Sequence, residues 1–350
     1  MKMPMLASMA VLAVPAAASA QAGDTTAHVT FGAFVDGYYA YDFNRPAGHD
    51  RPFTTQASRH DEFNLNLAHV EARYQSSRVR GRLALQAGTS VQVNYAFEPD
   101  SLSGLPNYLP LVQEAWAGVA VSPSLWVDAG IFLSHVGSEG WISADQPTYT
   151  RSLVADYSVY YEAGVRATWQ ATPALAATFV AVNGWQNIAE NNHDKAVGAR
   201  LDWTATPMLA VSYSNFVGRE PNATTGEQDV RVLNDLSARI TAGPVLVVPT
   251  VDVGTQGGDT WYGASLVGRW ALTPAVALNG RLERFDDRHG VLTPALRASG
   301  ASIGIDVARG PALWRTELRG LFGAPDGTFP AHDGAKSSDV AAVTSLAVRF

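Results

Sequence analysis

The chain has 350 residues and no cysteine, which excludes disulfide scaffolds and thiolate metal sites. Its formal charge of -7 and its few lysines (Lys2, Lys195 and Lys336) leave no basic patch for nucleic acid. A hydrophobic fraction of 47% and a mean hydropathy of -0.02 suit a soluble globule and a membrane barrel equally, so periodicity has to separate them.

Residues 1–20 open with Lys2, continue through the apolar run MLASMAVLAV and end in Ala18-Ser19-Ala20, the small-x-small pattern of a secretory signal. The expected mature chain is one domain, 21–350. No later stretch approaches the ~18 apolar residues that a spanning helix requires, so any membrane crossing must be made by strands.

The first strand is predicted at 28–41, HVTFGAFVDGYYAY, with Val29, Phe31, Ala33, Val35, Tyr39 and Tyr41 on one face and Thr30, Asp36 and Tyr38 on the other. The return, 62–75, changes parity. Phe63, Leu65 and Leu67 hand over to Ala68, Val70, Ala72 and Tyr74, which predicts a bulge near Leu67. Alternation then runs unbroken over 79–95. Further strands are expected near 111–121, 124–135, 157–170, 174–184, 195–204, 208–217, 229–240, 245–255, 260–270, 276–286, 299–308, 312–322 and 338–350, about sixteen in all.

The connections alternate in kind. Tight ones carry Pro123, Pro173, Pro207, Pro244, Pro274 and Pro311, since proline suits a turn and ends a ladder. The others are longer and polar, and Pro294 is placed in one of them because only one strand fits between it and Pro274. The gap at 256–259 is short for its side.

In 157–170 the apolar parity is Tyr157, Val159, Tyr161, Ala163, Val165, Ala167 and Trp169. Its rings fall at the strand ends, as in an apolar band that meets water on both sides. These patterns predict an all-β fold, a transmembrane antiparallel up-and-down β-barrel with short periplasmic turns and longer extracellular loops, set in a Gram-negative outer membrane. The last residues, DVAAVTSLAVRF, alternate up to Phe350, which resembles the C-terminal signal read by the barrel-insertion machinery.

FGAFVDGYYAYDFNRP, RHDEFNLNLAHVEARY, WVDAGIFLSHVGSEGWIS and TYTRSLVADYSVYYEAGVRATW resemble the β-barrel porin-2, OmpL-like family, and a looser likeness covers almost the whole mature chain. The resemblance implies an outer-membrane channel. It brings no catalytic residue, no cofactor and no metal.

With lipid on the apolar parity, the opposite parity carries Arg80, Arg82, Arg166, Arg200, Arg231, Arg239, Arg269, Arg281, Arg315 and Arg319. Facing them stand Glu114, Asp128, Glu162, Asp202, Asp235, Glu283, Asp306 and Glu317. Arginine on the lipid face at mid-membrane would cost roughly 2–4 kcal/mol, so these side chains are expected to line a water-filled pore that passes small hydrophilic solutes. Many of them are also suited to structural Arg-carboxylate pairs. Loop 136–156 is long enough to be the constriction, with Glu139, Trp141, Asp145, Tyr149 and Arg151 toward the solute path. Trp126, Phe132 and Ser134 on the preceding strand are expected to point inward beside it.

Two other classes compete with a channel. A barrel enzyme would need a nucleophile beside a base, and Ser134-His135 is the one tempting pair, but neighbours on a strand diverge. A structural or adhesive barrel would have a plugged lumen. The doublets His49-Asp50, His60-Asp61, His193-Asp194 and His332-Asp333 fit solvated loop tips better than a metal site, because adjacent side chains rarely aim at one ion. A homo-oligomer is compatible with this strand number.

Overall fold

The computed structural model describes residues 27–98 and 107–350. The expected signal, 1–20, lies outside them. The strands are β1 (His28–Asp42), β2 (Phe63–Gln75), β3 (Val79–Ala87), β4 (Val112–Ser122), β5 (Leu125–Leu133), β6 (Tyr161–Thr172), β7 (Leu175–Val182), β8 (Ala196–Thr206) and β9 (Leu209–Pro221). They continue as β10 (Gln228–Ala242), β11 (Val245–Gln256), β12 (Asp259–Ala271), β13 (Val276–Asp286), β14 (Arg297–Arg309), β15 (Ala312–Phe322) and, after a loop hairpin of β16 (Phe329–Ala331) and β17 (Gly334–Lys336), β18 (Asp339–Arg349). Each barrel strand pairs antiparallel with its neighbour along the barrel, and β1 pairs with β18, which closes a sheet of sixteen strands. Closure leaves no unpaired edge, the condition a sheet must meet inside lipid.

Parity runs as the residues dictate. On β10, Leu236 is 53% exposed while Asp235 and Ser237 on either side are buried inside. Trp169, Trp203, Trp270 and Trp314 all face outward close to the periplasmic turns, and Phe63, Tyr262 and Phe322 face outward near the other rim. These are the two aromatic girdles of a membrane barrel. The bulge falls where the parity change puts it. Asp36 pairs with Leu67 and Gly37 with Leu65, so Asn66 is the extra residue. Gly257 and Gly258, at φ 60° and 91°, join β11 to β12 in a two-residue turn that needs both residues in the left-handed region.

Three expectations are corrected. The strand expected over 79–95 stops at Ala87, and Thr89–Asn94 form a helix, α1. Gly88, at φ 141°, turns the chain out of the sheet so close to the Asn66 carbonyl that no side chain fits. Alternation alone cannot register that break. The strand expected from 157 begins at Tyr161, after a short helix α2 (Leu153–Asp156). Tyr157 stacks on Phe285 inside the barrel at 5.1 Å, and Tyr161 is buried against Tyr95 at 4.0 Å, so neither ring belongs to the lipid girdle.

The third correction concerns the lumen. The inner wall is charged and polar for most of its height, but toward the outer rim it also carries inward apolar residues, Phe216 on β9, Leu233 on β10, Trp261 on β12 and Phe285 on β13, beneath the buried Glu220, Arg231 and Gln256. Val136, Leu153, Val291 and Phe329 from the loops pack onto them, so an apolar cluster occupies part of the outer bore that was expected to be lined by charge alone. Strand parity says which way these residues point; it does not say what loops will bring to meet them.

Candidate functional site

The third outer loop, 134–160, folds into the barrel and is tied to the inner wall along its length. It leaves β5 past His135, whose Nδ1 lies 2.9 Å from Glu162 Oε1 and whose Nε2 lies 2.7 Å from the Asn215 carbonyl oxygen. Ser134 Oγ accepts from the Val136 amide at 3.0 Å, so Ser134 and His135 do not form a nucleophile-base pair. Arg200 donates to the carbonyls of His135 and Gly137 at 3.1 and 2.8 Å. Ser143 Oγ then donates to Asp36 Oδ2 at 2.6 Å on the opposite wall.

From there the loop crosses β13 to β15, where the charged residues act as a latch. Arg315 donates to the carbonyls of Ser143, Gln146, Pro147 and Thr148 at 2.7 to 3.2 Å while its Nε holds Asp306 at 2.9 Å. Arg281 donates to the Thr150 carbonyl at 2.6 Å, and Glu317 accepts from the Thr150 amide at 2.7 Å and its hydroxyl at 2.8 Å. Glu283 accepts from the Leu153 amide at 2.6 Å and pairs with both Arg281 (3.1 Å) and Arg319 (2.9 Å). A loop whose backbone is so fully satisfied by buried charge has no competing position, because each freed group would stay buried without a partner.

The residues expected to line a pore therefore divide. Glu114, Asp128, Glu162, Arg231, Arg281, Glu283, Arg315, Glu317 and Arg319 are buried. Arg231 donates to Gln256 Oε1 at 2.9 Å and lies over the Trp185 ring at 4.9 Å. Arg80, Arg82, Arg166, Arg200, Asp202 and Arg239 keep accessible surface. Arg80 and Arg166 share Asp128 at 2.7 and 3.0 Å, with Arg80 over Trp126 and Arg166 over Phe132. Arg82 pairs with Glu71 at 2.5 Å and with Glu114. Arg200 pairs with Asp202 at 2.9 Å, and Arg239 makes no ion pair among the described residues.

Of the loop residues expected beside the solute path, Glu139 and Asp145 border open space and Trp141, Tyr149 and Arg151 do not. Arg151 is turned inward because its guanidinium holds its own loop, donating to the Gly140 carbonyl at 2.7 Å and to the Trp141 carbonyl, and ties it to the first outer loop through Thr55 Oγ1 at 2.9 Å. Trp141 stands edge-on to Tyr95 and Tyr160, and Tyr149 sits with Tyr38 and Val343. Two cavities remain beside the loop. One of about 180 Å³ lies between Ser138, Glu139 and Asp145 and the wall residues Arg200, Ser212 and Arg239. Another of about 210 Å³ lies between Asp145, Gln146 and Pro147 and the wall residues Arg239, Arg269 and Asp306.

Strand parity turns Asp36 inward but gives no sign of its bond to Ser143, of the Thr148 and Thr150 contacts or of the His135-Glu162 pair. The apolar residues on the charged parity, such as Phe216 and Leu233, were visible as exceptions to it. Of the His-Asp doublets, His332 and Asp333 pair loosely at 3.7 Å on the exposed surface, whereas His49 stacks on His60 at 5.7 Å and His60 Nδ1 accepts from the Asp42 amide at 2.9 Å.

Asp156, in α2, gives the loop a pH dependence. Burial pushes its carboxyl from 3.8 up to about 6, against the opposing pull of Arg319. A carboxyl raised on folding stabilises the docked loop most below its ordinary value, and that gain is lost as pH rises through about 6. Asp156→Asn should therefore match wild type around pH 4 and exceed it around pH 7 by about 1–3 kcal/mol. Thermal midpoints of both proteins at the two pH values check this; equal midpoints throughout would leave Asp156 without the role.

Comparison with known proteins gives the geometry its family. Residues 28–350 match the family described as Putative beta-barrel porin-2, OmpL-like. The chain belongs to that porin family. No curated protein matches the sequence of this porin. Its fold is similar to the outer membrane channel DcaP of Acinetobacter baumannii, with TM-score 0.63 and 12% identity over 94% of this chain and 99% of that one. It is also similar to the anion-selective porin from Comamonas acidovorans, with TM-score 0.60 and 10% identity over 93% and 100% of the two chains. OmpT of Vibrio cholerae in its trimer form gives 0.60 and 11% over 93% and 100%. At these identities the likeness is one of fold.

Proposed function

We propose that this porin is a passive channel of the bacterial outer membrane for small hydrophilic solutes, exported by the 1–20 signal, inserted through the strand that ends in Phe350 and surrounded by outer-membrane lipid. One observation carries the reading: an inward-folded loop offers Glu139 and Asp145 across open space to accessible arginines of the wall, Arg200 and Arg239. Groups of opposite sign on facing sides of a narrow passage orient polar solutes and set ion preference. Arg239, with no ion-pair partner among the described residues, tips that preference toward anions. The catalysis of a barrel enzyme has no support in the Ser134-His135 geometry.

Purified protein in planar bilayers should give stepwise conductance, with a salt-gradient reversal potential on the anion side that Arg239→Glu moves toward cations. Unchanged selectivity would remove Arg239 from the path. A second reading, a sealed structural or adhesive barrel, draws on the apolar cluster in the outer bore and requires silence in the same recording. A homo-oligomer, the trimer above all, is proposed on the likeness to the trimeric form of OmpT.

A further inference from the structure

We propose that the inner wall between β9 and β12 carries a subsite for one class of solute, an organic anion with a compact apolar body, such as a carboxylate on an aromatic ring. The proposal rests on the channel reading and names the solute class that the channel selects. Strand register brings the parts into one row. Arg239 on β10 lies opposite Ala210 on β9 and, on its other side, level with Val248 on β11, which lies opposite Val267 on β12. All four point inward and line the cavity of about 180 Å³ beneath the third loop. Neighbouring strands are about 4.8 Å apart, so the two valines stand roughly 5 and 10 Å along the row from Arg239, the span of an aryl carboxylate.

Charge in this corner of the bore is unbalanced in one direction. Each carboxylate that borders the two cavities is already held: Glu139 accepts from the Ser152 amide at 3.1 Å, Asp145 pairs with Arg349 at 2.7 Å, and Asp306 takes Arg315 at 2.9 Å and the Asn279 side-chain amide at 2.9 Å. Arg239 borders both cavities, is exposed, and makes no ion pair among the described residues. Arg269, beside the second cavity, reaches Asp306 only at 3.5 Å. A guanidinium that faces open space without a carboxylate can take one from solution through two parallel N–H bonds.

The apolar half of the subsite separates it from an ordinary charged wall. Val248 and Val267 stand on an inward parity that is polar one step nearer the outer rim, at Thr250 and Ser265. Leu246 and Leu313 carry the apolar strip into the second cavity, and Pro147 of the third loop lines both. A cavity of about 150 Å³ with apolar walls accepts a benzene ring, and these two measure about 180 and 210 Å³. Chloride gains from Arg239 and nothing from the valines, while a neutral ring gains only from the valines. A solute with both halves gains twice, because a few placed polar groups on an apolar lining are what make a pocket selective.

Block of chloride current in planar bilayers tests the subsite with three probes: benzoate, which has both halves, acetate, which lacks the ring, and benzamide, which lacks the charge. Benzoate should halve the current at a concentration about fivefold below either partial probe, the gain from sheltering part of one ring or from one exposed ion pair. Arg239→Gln should erase its advantage over benzamide. Val248→Thr, which keeps the shape and adds a hydroxyl, should narrow its advantage over acetate. A channel that conducts while benzoate and acetate block alike overturns the subsite and leaves the channel standing. A benzoate advantage that survives both substitutions overturns the assignment to this wall. If one variant fails to fold, as judged by heat-modifiable migration, the other locates the site. A folded protein that is silent in the bilayer overturns the channel reading; titration calorimetry in detergent then decides the subsite, which falls if benzoate binds no more tightly than acetate.

Discussion

Arg315→Met is expected to release the third loop and destabilise the barrel by about 3–5 kcal/mol, the usual cost of breaking a buried ion pair from one side. Arg315 is 2% exposed, and its guanidinium joins Asp306 to four carbonyls of the loop. Removing it leaves Asp306 with Arg269, at 3.5 Å, and the Asn279 side-chain amide, at 2.9 Å, and strands those carbonyls away from water. The Arg315→Lys variant keeps the charge but loses the planar fork, so it should fall between wild type and Arg315→Met. Unfolding in detergent reads the stability, and protease cleavage between 140 and 150 reads the loop. An Arg315→Met protein with both unchanged would show that the latch lies elsewhere, in Arg281 and Glu317.

The second large effect is on the outer wall. Leu236→Arg places a guanidinium on the outward face halfway along β10 and should cost about 2–4 kcal/mol, whereas Ile240→Arg, on the same face near the periplasmic turn, should cost about 0–1 kcal/mol. Both residues are exposed, at 53% and 41%, so packing cannot account for a difference between them. Only a medium whose polarity changes with depth can. Folding titrations into lipid vesicles measure both variants, and equal costs would mean that the apolar wall does not face acyl chains.

Most of the barrel was legible in the sequence because its code is local. Each strand states its own two faces, and the prolines of the tight turns state where strands end, although Pro249 lies within β11. The extra Asn66 announced itself as a change of parity, and Pro294 stayed in a loop because the strand count required it. What stayed hidden depends on contacts between distant parts. Arg281, Glu283 and Arg315 could be placed on the inward face, but that they are sheathed by Thr148, Thr150 and Leu153 depends on the path of a loop without period. The length of the loop points to a constriction with Trp141, Tyr149 and Arg151 beside solute, but length does not say which side chains a loop turns inward, and these three form its inside. Helix α1 was hidden for a different reason, since SVQVN alternates as well as any strand and only the conformation of Gly88 breaks the sheet.

The seam between β1 and β18 has a consequence for biogenesis. Phe34 lies opposite Arg349, and the Ala33 amide and the Phe350 carbonyl oxygen meet at 3.4 Å. The cylinder therefore shuts only where the earliest-made and latest-made described strands join. Every nascent or truncated form carries two open ladders, at β1 and at whichever strand was made last, with an oily flank between them. Such a chain invites mispairing with any extended polypeptide it meets until the final strand is in place.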